Sequence, residues 1–268
     1  MHKFVSFDCK TVEPTNASIP APSLASLYGT GAFTTIAIYD GKPFLWEKHW
    51  QRLENNVGKL KIDLAEFSES KTISALAEII KKNDVSYGRA RITFFDEKSS
   101  GIWPFETDRK TSLLITTGDL RPVPGNFKLL VSPFPTNSLS PLAGIKSCNY
   151  LEKILALDET KARGFDEAIQ VNERGLITSA VMANVFWLKH GVLHTPSLKT
   201  GCLPGTTREF VLENLECHEV EAPRDELNKT DAVFLTSAGL GVTQVAEFGS
   251  RKIEKLYHPI LDLLPKRT

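Results

Sequence analysis

The segment DLRPVPG, at positions 119–125, constrains the fold of this sequence more than any other stretch. Pro122 and Pro124 lack a backbone N–H and fix their φ angles, so regular strand pairing cannot pass through them. Patterns typical of both helices and strands occur on each side of this break. The sequence therefore predicts an α+β chain with one lobe at 1–118, a linker at 119–125 and a second lobe at 126–268.

The first lobe should contain a hairpin, two helices and two further strands. After a mostly loop-like stretch at 10–27, AFTTIAIYDGKPFLW is typical of two strands that turn at Asp40-Gly41, because both turn positions favour positive φ. A second helix is expected at 66–83, with strands at GRARITFFDE and TSLLITTG. The helix after the hairpin should have an apolar face made of Trp46, Trp50, Leu53, Val57 and Leu60.

The second lobe should begin with the strand NFKLLVSPF and a helix after Lys146. Asn149 and Glu152 have the spacing of a capping box for that helix, and Leu151, Ile154 and Leu155 give it an apolar face. The remaining expected elements are short strands around 167–171 and 175–179, a hairpin turning at His190-Gly191, a helix at GTTREFVLENL, a strand at DAVFLTS and a closing helix at 254–264.

The composition excludes several classes of protein. The 268 residues include 32 Lys plus Arg and 32 Asp plus Glu, so no net charge favours nucleic acid or an anionic membrane. The sequence has no run of about 18 apolar residues, and its N-terminus does not resemble a signal peptide. The four cysteines have no CxxC spacing, which argues against zinc and favours reduced thiols. We therefore expect a cytoplasmic protein without a metal.

Two segments have the character of anion sites. In CLPGTTRE, the residues Gly205, Thr206 and Thr207 begin a helix, where unpaired N–H groups and the helix dipole attract anions. Thr206 and Glu209 also have capping-box spacing, so an ordinary helix cap is the alternative. FLTSAGLG ends a strand in small residues that a ligand could approach, or it is a plain turn. GTGAF lacks the third glycine of a dinucleotide fingerprint and precedes a strand, so a Rossmann fold is not indicated.

Two basic residues are candidates for chemistry. Arg52 follows His49 by one helical turn, so both should lie on the same side of the helix. Its guanidinium could bind phosphate or carboxylate oxygens in a fork, or form an ordinary salt bridge. Lys146 lies among apolar residues, where loss of solvation could lower the pKa of the amine and make it nucleophilic. The alternative is a surface lysine whose stem alone is buried.

Taken together in order, these segments resemble the fold type IV family of pyridoxal 5'-phosphate (PLP) enzymes. This family contains branched-chain aminotransferases, D-amino acid aminotransferases and aminodeoxychorismate lyases. The resemblance implies a two-lobed fold like that of D-amino acid aminotransferase, with PLP in the cleft between the lobes, a small amino substrate and a homodimer. The matching segments are YGTGAFTT, HWQRL, IKSCNYLEKILA, GFDEAIQVNERGLITS, NVFWLKHGVLHTP, LPGTTR and FLTSAGLGVTQV.

The resemblance assigns roles to individual residues. Lys146 corresponds to the lysine that bonds to PLP and later moves the proton. Arg52 corresponds to the arginine that holds the cofactor phosphate. The same phosphate is cradled by the segment with Gly205, Thr206 and Thr207, with help from the segment of Ser237. Tyr150 resembles a tyrosine near the phenolic oxygen of the cofactor.

Ser179 departs from the family pattern. It stands where the family has a glutamate that keeps the pyridine nitrogen of PLP protonated. A hydroxyl offers only a neutral hydrogen bond, so the cofactor should be a weaker electron sink. Slower transamination, a preference for elimination and weakened catalysis are all compatible with this change.

Within the family, the motifs resemble those of the aminodeoxychorismate lyases. GAFTT has two threonines after the phenylalanine, and Thr35 stands where the lyases use a hydroxyl near the substrate. In RITFFDEKSSG, however, Asp96 stands where the lyases often have an arginine. Arg89 or Arg91 could replace it, and strand alternation puts both on one side. The resemblance therefore implies a 4-amino-4-deoxychorismate lyase releasing pyruvate and 4-aminobenzoate for folate synthesis. An aminotransferase for D- or branched-chain amino acids and a PLP-binding homologue with weakened catalysis are the alternatives.

Overall fold

The structure is a computed structural model that describes residues 1–64, 66–97 and 110–265. The chain forms two compact units. The first holds the described residues of 1–120 together with Ile145–Asn149, and the second holds 121–144 and the described residues from 150 onward. The sequence prediction assigned Ile145–Asn149 to the second lobe. Its contacts assign it to the first unit, because this segment hydrogen-bonds to a strand there.

The described part of the first unit contains one antiparallel sheet and three α-helices. The described strands are β1 (Val5–Phe7), β2 (Lys10–Val12), β3 (Gly31–Tyr39), β4 (Lys42–Pro43), β5 (Gly88–Asp96) and β6 (Thr111–Gly118). The helices are α1 (Leu24–Tyr28), α2 (Trp46–Lys59) and α3 (Glu69–Lys82). The strand order is β2-β1-β6-β5-β3-β4. The stretch 10–27, predicted as mostly loop, thus also contains β2 and most of α1.

The predicted hairpin of the first unit is confirmed. Asp40 and Gly41 have φ angles of 49° and 70°, as the turn between β3 and β4 requires. α2 follows and buries its apolar side, including Trp50 and Leu53, against one face of the sheet. α3 begins at Glu69 rather than at 66, because the Ser68 hydroxyl caps it by accepting from the Lys71 N–H. The hydrophobic core of this unit therefore lies on one face of the sheet.

The second unit contains two five-stranded sheets. Their strand orders are β12-β11-β10-β13-β14 and β16-β15-β7-β8-β9. The helices are α4 (Leu151–Ala162) and α5 (Thr206–Asn214). The strands are β7 (Lys128–Val131), β8 (Glu167–Val171), β9 (Ile177–Ala180), β10 (Asn184–Lys189), β11 (Val192–Pro196), β12 (His218–Val220), β13 (Ala232–Ser237), β14 (Gly241–Gln244), β15 (Glu247–Phe248) and β16 (Arg251–Lys252). The predicted turn at His190-Gly191 is confirmed, with φ angles of 51° and 79°.

The start of α4 differs from the prediction. The N-cap residue is Tyr150 and its side chain does not cap the helix, whereas Asn149 is exposed. Asn149 lies one residue before the cap position and directly after Cys148, whose N–H donates to the Gly31 carbonyl of β3. The predicted apolar face of Leu151, Ile154 and Leu155 is exposed, with exposed fractions of 65%, 44% and 54%. The helix is buried instead through Ala156, Leu157 and Thr160.

The closing helix predicted at 254–264 is wrong. The described chain there has no helix up to His258 and then forms a short 3-10 turn, Pro259–Asp262. The residue before a proline is disfavoured in the helical region, and His258 has φ −144° and ψ 143°. Among the described helices, none is long and apolar enough to cross a membrane.

Candidate active site

Backbone hydrogen bonds fix the position of Lys146 beside β3. The Phe33 N–H donates to the Lys146 carbonyl at 2.9 Å, and the Cys148 N–H donates to the Gly31 carbonyl at 2.8 Å. Ser147 is the antiparallel partner of Ala32. The close approach requires Gly31, because a Cβ there would lie 2.9 Å from the Cys148 sulfur. The segment with Lys146 therefore pairs with the first residues of β3 at the edge of the sheet.

Lys146 and the hydroxyl of Thr35 lie on the same face of this sheet. Ser147 faces the same way as its partner Ala32, which is in the core, so Lys146 shares the opposite face with Phe33. The Lys146 Nζ lies 4.5 Å from the centre of the Phe33 ring. Thr35 follows Phe33 on this face by strand alternation. The amine and the hydroxyl predicted to be catalytic are thus on one surface.

A second cation lies on the same ring. The Arg91 guanidinium carbon is 3.5 Å from the centre of the Phe33 ring. Arg91 is the cross-strand partner of Thr35, and Arg89 is the partner of Ala37, which confirms that both arginines share one side. Of these two arginines, Arg91 is the one that lies on the Phe33 ring. Asp96 is fully buried, and residues 98–101 of the same sequence stretch lie outside the described residues.

Arg52 belongs to a buried group on the core side of β3. Its Nη2 donates to the Thr34 hydroxyl oxygen at 2.7 Å, and the same oxygen lies 2.6 Å from the His49 Nδ1. Thr34 and His49 are buried, with 0% and 2% of their surface exposed. Burial, and then the charges of Arg52 and Lys146, hold the pKa of His49 well below its ordinary value. The expectation that His49 and Arg52 share one side of the helix is confirmed.

In the second unit, the start of α5 is packed closely against the Asn184 side chain. Gly205 is the N-cap residue and Thr206 is already helical, so the predicted capping box of Thr206 and Glu209 is wrong. The Asn184 Nδ2 donates to the Leu203 carbonyl at 2.9 Å. A Cβ on Gly205 would lie only 1.9 Å from the Asn184 Oδ1, so any side chain here would force Asn184 to move. Thr206 and Thr207 are buried beside it.

Thr236 is a further candidate site residue that the sequence did not predict. It is the cross-strand partner of Asn184 and therefore lies on the same face of the sheet. Its hydroxyl is buried and finds no hydrogen-bond partner among the described residues. The neighbouring Ser237, which was predicted, uses its hydroxyl to accept from the Leu240 N–H at 3.1 Å. Alternation in DAVFLTS could have placed Thr236 with Asn184, but only if the pairing of the strands were known.

Ser179 lies opposite a polar pair that the sequence analysis also missed. Its cross-strand partner is Gln170, whose side-chain oxygen accepts from the Lys153 ammonium. Burial lowers the pKa of Lys153 to about 8. Burial also raises the pKa of the nearby Glu167 to about 7, although that carboxylate accepts three backbone N–H bonds. Lys153 is therefore a buried lysine whose charged form is disfavoured by loss of solvation.

The predicted site residues are divided between the two units. Lys146, Arg52 and Thr35 belong to the first unit. The remaining six belong to the second unit and are Ser179, Gly205, Thr206, Thr207, Ser237 and Tyr150.

The chain is similar to a known protein family and to solved structures. The family model for amino-transferase class IV matches residues 31–248. The aminodeoxychorismate lyase of Bacillus subtilis is 31% identical over 244 residues, which cover 85% of this chain and 82% of the relative. A putative 4-amino-4-deoxychorismate lyase from Legionella pneumophila has a TM-score of 0.85, 26% identity and 93% coverage of both chains. A T.th. branched-chain amino acid aminotransferase, complexed with N-(5'-phosphopyridoxyl)-L-glutamate, has a TM-score of 0.86 and 25% identity, with 98% of this chain and 92% of that chain covered.

The protein belongs to the class IV aminotransferase family of PLP-dependent enzymes. Its fold is the fold type IV architecture, which confirms the predicted fold class.

Each unit, taken by itself, offers groups that suit one part of PLP: the second unit suits the phosphate and the first suits the aldehyde. The N-terminus of α5 at Gly205 and the buried Thr236 hydroxyl, which has no partner among the described residues, are groups that suit phosphate oxygens. The Lys146 side chain provides an amine that can add to a carbonyl.

Proposed function

We propose that the protein is a PLP-dependent lyase that converts 4-amino-4-deoxychorismate into pyruvate and 4-aminobenzoate, for folate synthesis. The observation that carries the proposal is the surface of the first unit where Lys146, Thr35 and Arg91 share one face of the sheet. The Bacillus subtilis relative, whose name is aminodeoxychorismate lyase, supports the same activity.

The proposal gives each predicted residue a role toward PLP. Lys146 would bond to the cofactor, and Tyr150 and Ser179 would contact its phenolic oxygen and ring nitrogen. The phosphate would be held by Arg52, by the start of α5 at Gly205, Thr206 and Thr207, and by the strand end at Ser237. The helix dipole and a guanidinium both stabilise the negative charge of a phosphate.

The reaction needs a base and a way to recognise the substrate. When bound, PLP withdraws electrons from the carbon that carries the substrate amine, which makes the hydrogen on that carbon acidic. Lys146 would remove this proton. The enolpyruvyl oxygen then leaves the neighbouring carbon with its electron pair, and the released enol gains a proton at carbon to become pyruvate. Lys146 would help to deliver that proton, and Thr35 would orient the substrate beside it.

Substrate recognition would fall to Arg91 rather than to Arg89. Both carboxylates of the substrate are anions, and a guanidinium binds a carboxylate in a bidentate fork. Arg91 lies on the Phe33 ring together with Lys146, so it is near the proposed reacting amine. Arg91 would thus replace the arginine that the resemblance expects at the position of Asp96.

Ser179 supports elimination over transamination. A neutral hydroxyl stabilises a protonated ring nitrogen less than a carboxylate does. Transamination requires negative charge to accumulate in the cofactor ring, whereas elimination lets the charge depart with the leaving group. The second candidate is an aminotransferase, which is favoured by the similarity to branched-chain aminotransferases.

The activity is tested by measuring pyruvate from 4-amino-4-deoxychorismate in the presence of PLP and without a 2-oxo acid. The lyase should release one pyruvate per 4-aminobenzoate under these conditions. A strict requirement for a 2-oxo acid acceptor would instead identify an aminotransferase. PLP uptake without either activity would identify a binding homologue.

We further propose that the protein acts in the cytoplasm as a homodimer. The spacing of its cysteines supports reduced thiols, and the resemblance to the family supports the dimer. Light scattering on the purified chain should give twice the protomer mass of 29.8 kDa.

A further inference from the structure

The Thr34 hydroxyl joins two side chains of α2. It contacts the His49 ring at 2.6 Å and the Arg52 guanidinium at 2.7 Å, and all of its surface is buried. Thr34 is held within β3 by the ladder with β5, where its partner is Ile92. The hydroxyl is therefore a fixed point on the sheet to which one turn of the helix is attached.

The direction of these hydrogen bonds follows from the donors available. A guanidinium can only donate, so the Thr34 oxygen accepts from Arg52. His49 is buried next to positive charge, which favours its neutral ring with one accepting nitrogen. If the Thr34 hydroxyl donates to Nδ1, it both donates and accepts, and the ring proton is on Nε2. In this arrangement the Thr34 hydroxyl makes both of its hydrogen bonds while the His49 ring stays uncharged.

We propose that Thr34 and His49 are positioning residues that hold the Arg52 guanidinium in the orientation that binds the phosphate of the cofactor. The inference rests on the proposed function, since it takes Arg52 as a phosphate ligand. Neither residue needs to touch a reacting atom.

The physical gain is pre-organisation. A guanidinium has its five N–H donors in a rigid plane, so fixing one donor fixes the plane of the others. An arginine that is already oriented loses less conformational entropy when it binds an anion. Thr34 also anchors Arg52 without a negative charge, whereas a carboxylate in its place would partly neutralise the guanidinium. The contact with Thr34 itself therefore does not neutralise Arg52.

The test compares two ligands that share an aldehyde and differ only in the phosphate. The dissociation constants of PLP and of pyridoxal are measured by absorbance titration on the full-length chain freed of cofactor. Thr34→Val removes the hydroxyl at nearly constant volume, and Thr34→Ser keeps it. Thr72→Val is the control, because Thr72 is a fully buried threonine of the same unit whose hydroxyl bonds only to the Ser68 carbonyl among the contacts described.

The expected result is a loss of affinity for PLP, which carries the phosphate, and no loss for pyridoxal, which lacks it. Thr34→Val should weaken PLP binding by about 5- to 10-fold, the size of one hydrogen bond, and leave pyridoxal binding nearly unchanged. Thr34→Ser should restore PLP affinity, and Thr72→Val should leave both affinities unchanged. If Thr34→Val does not fold, Thr34→Cys removes the strong hydroxyl at similar volume and should give the same selective loss.

Other outcomes distinguish failure of the positioning role of Thr34 from failure of the proposed function. An unchanged ratio of PLP to pyridoxal affinity in the Thr34 variants would overturn the inference and leave the proposed function standing. An equal loss for both ligands would also overturn it, because Thr34 would then support the fold alone. Failure of the wild-type chain to bind PLP at all would overturn the proposed function itself.

Discussion

At the scale of single residues, Lys146 and Lys153 illustrate two different ways of placing an amine. Lys146 is held by backbone hydrogen bonds to β3 and lies over the Phe33 ring. Lys153 is held by its own side chain, through Gln170, in the second unit. Burial lowers the pKa of Lys153 to about 8, so a perturbed pKa by itself does not identify the reacting lysine. The neighbours of Lys146 make it the better candidate.

Ser179 offers a test of how the protein tunes its cofactor. Ser179→Glu should raise the ratio of amino acid transamination to pyruvate release by about tenfold or more, since a charge-assisted hydrogen bond to the ring nitrogen contributes about 1.5–3 kcal/mol. Ser179→Gln is the matched control because it has the same length and no charge. The two activities are measured in parallel at saturating PLP. An equal ratio in the Glu variant, the Gln variant and the wild type would mean that Ser179 does not tune the cofactor.

At the scale of elements, the start of α5 depends on Gly205. Gly205→Ala places a Cβ against the Asn184 Oδ1, so the Asn184 bond to the Leu203 carbonyl should be disrupted. We expect a loss of about 1–3 kcal/mol in the free energy of unfolding and weaker PLP retention. The free energy of unfolding is measured by urea denaturation, and PLP retention by dialysis against buffer without cofactor.

Gly58→Ala is the control for Gly205→Ala. Gly58 lies within α2, and among the described residues no atom lies within 4 Å of its Cβ position. Alanine there should stabilise the protein by about 0.5–1 kcal/mol through helix propensity. If Gly205→Ala were as well tolerated as Gly58→Ala, the contact between Asn184 and the start of α5 would not exclude a Cβ at position 205.

The buried Glu167, at the start of β8, should make stability depend on pH. Burial raises the pKa of Glu167 from its ordinary value to about 7, so the folded state holds this proton more tightly than the unfolded state. Its contribution to stability is complete below about pH 4.5 and is lost as the pH rises through 7. The loss should be about 3 kcal/mol. Lys153 adds nothing in this window, because it is protonated in both states below its lowered pKa of about 8.

The measurement for Glu167 is urea denaturation at pH 5 and pH 7.5. Glu167→Gln should be less stable than the wild type at pH 5, since it loses an acceptor for a backbone N–H. The difference should shrink or reverse at pH 7.5. The exposed Glu216→Gln variant should show no such change. If the difference in the free energy of unfolding between Glu167→Gln and the wild type were the same at pH 5 and pH 7.5, the raised pKa of Glu167 would be refuted.

At the scale of the whole molecule, local patterns were predictable and contacts between distant segments were not. The turns at Asp40-Gly41 and His190-Gly191 depend on neighbouring residues only, and both were predicted correctly. The helix predicted at 254–264 failed because Pro259 overrode an apolar pattern.

The site shows the same division. His49 and Arg52 were placed together by helical spacing. Thr236 and the pairing of Glu167 with the Met182 N–H could not be predicted, because they depend on which strands are neighbours in the sheets. The resemblance to a family supplied roles for residues whose chemistry depends on long-range contacts.

The central claim is that Lys146 is the amine that bonds to PLP, and chemical trapping tests it most directly. The protein loaded with PLP is reduced with borohydride, digested, and the phosphopyridoxyl-modified peptide is identified by mass spectrometry. The account predicts modification of Lys146, loss of that modification and of nearly all turnover in Lys146→Ala, and normal modification of Lys146 in Lys153→Met. Modification of Lys153 or of another lysine in the wild type, with Lys146 unmodified, would contradict it.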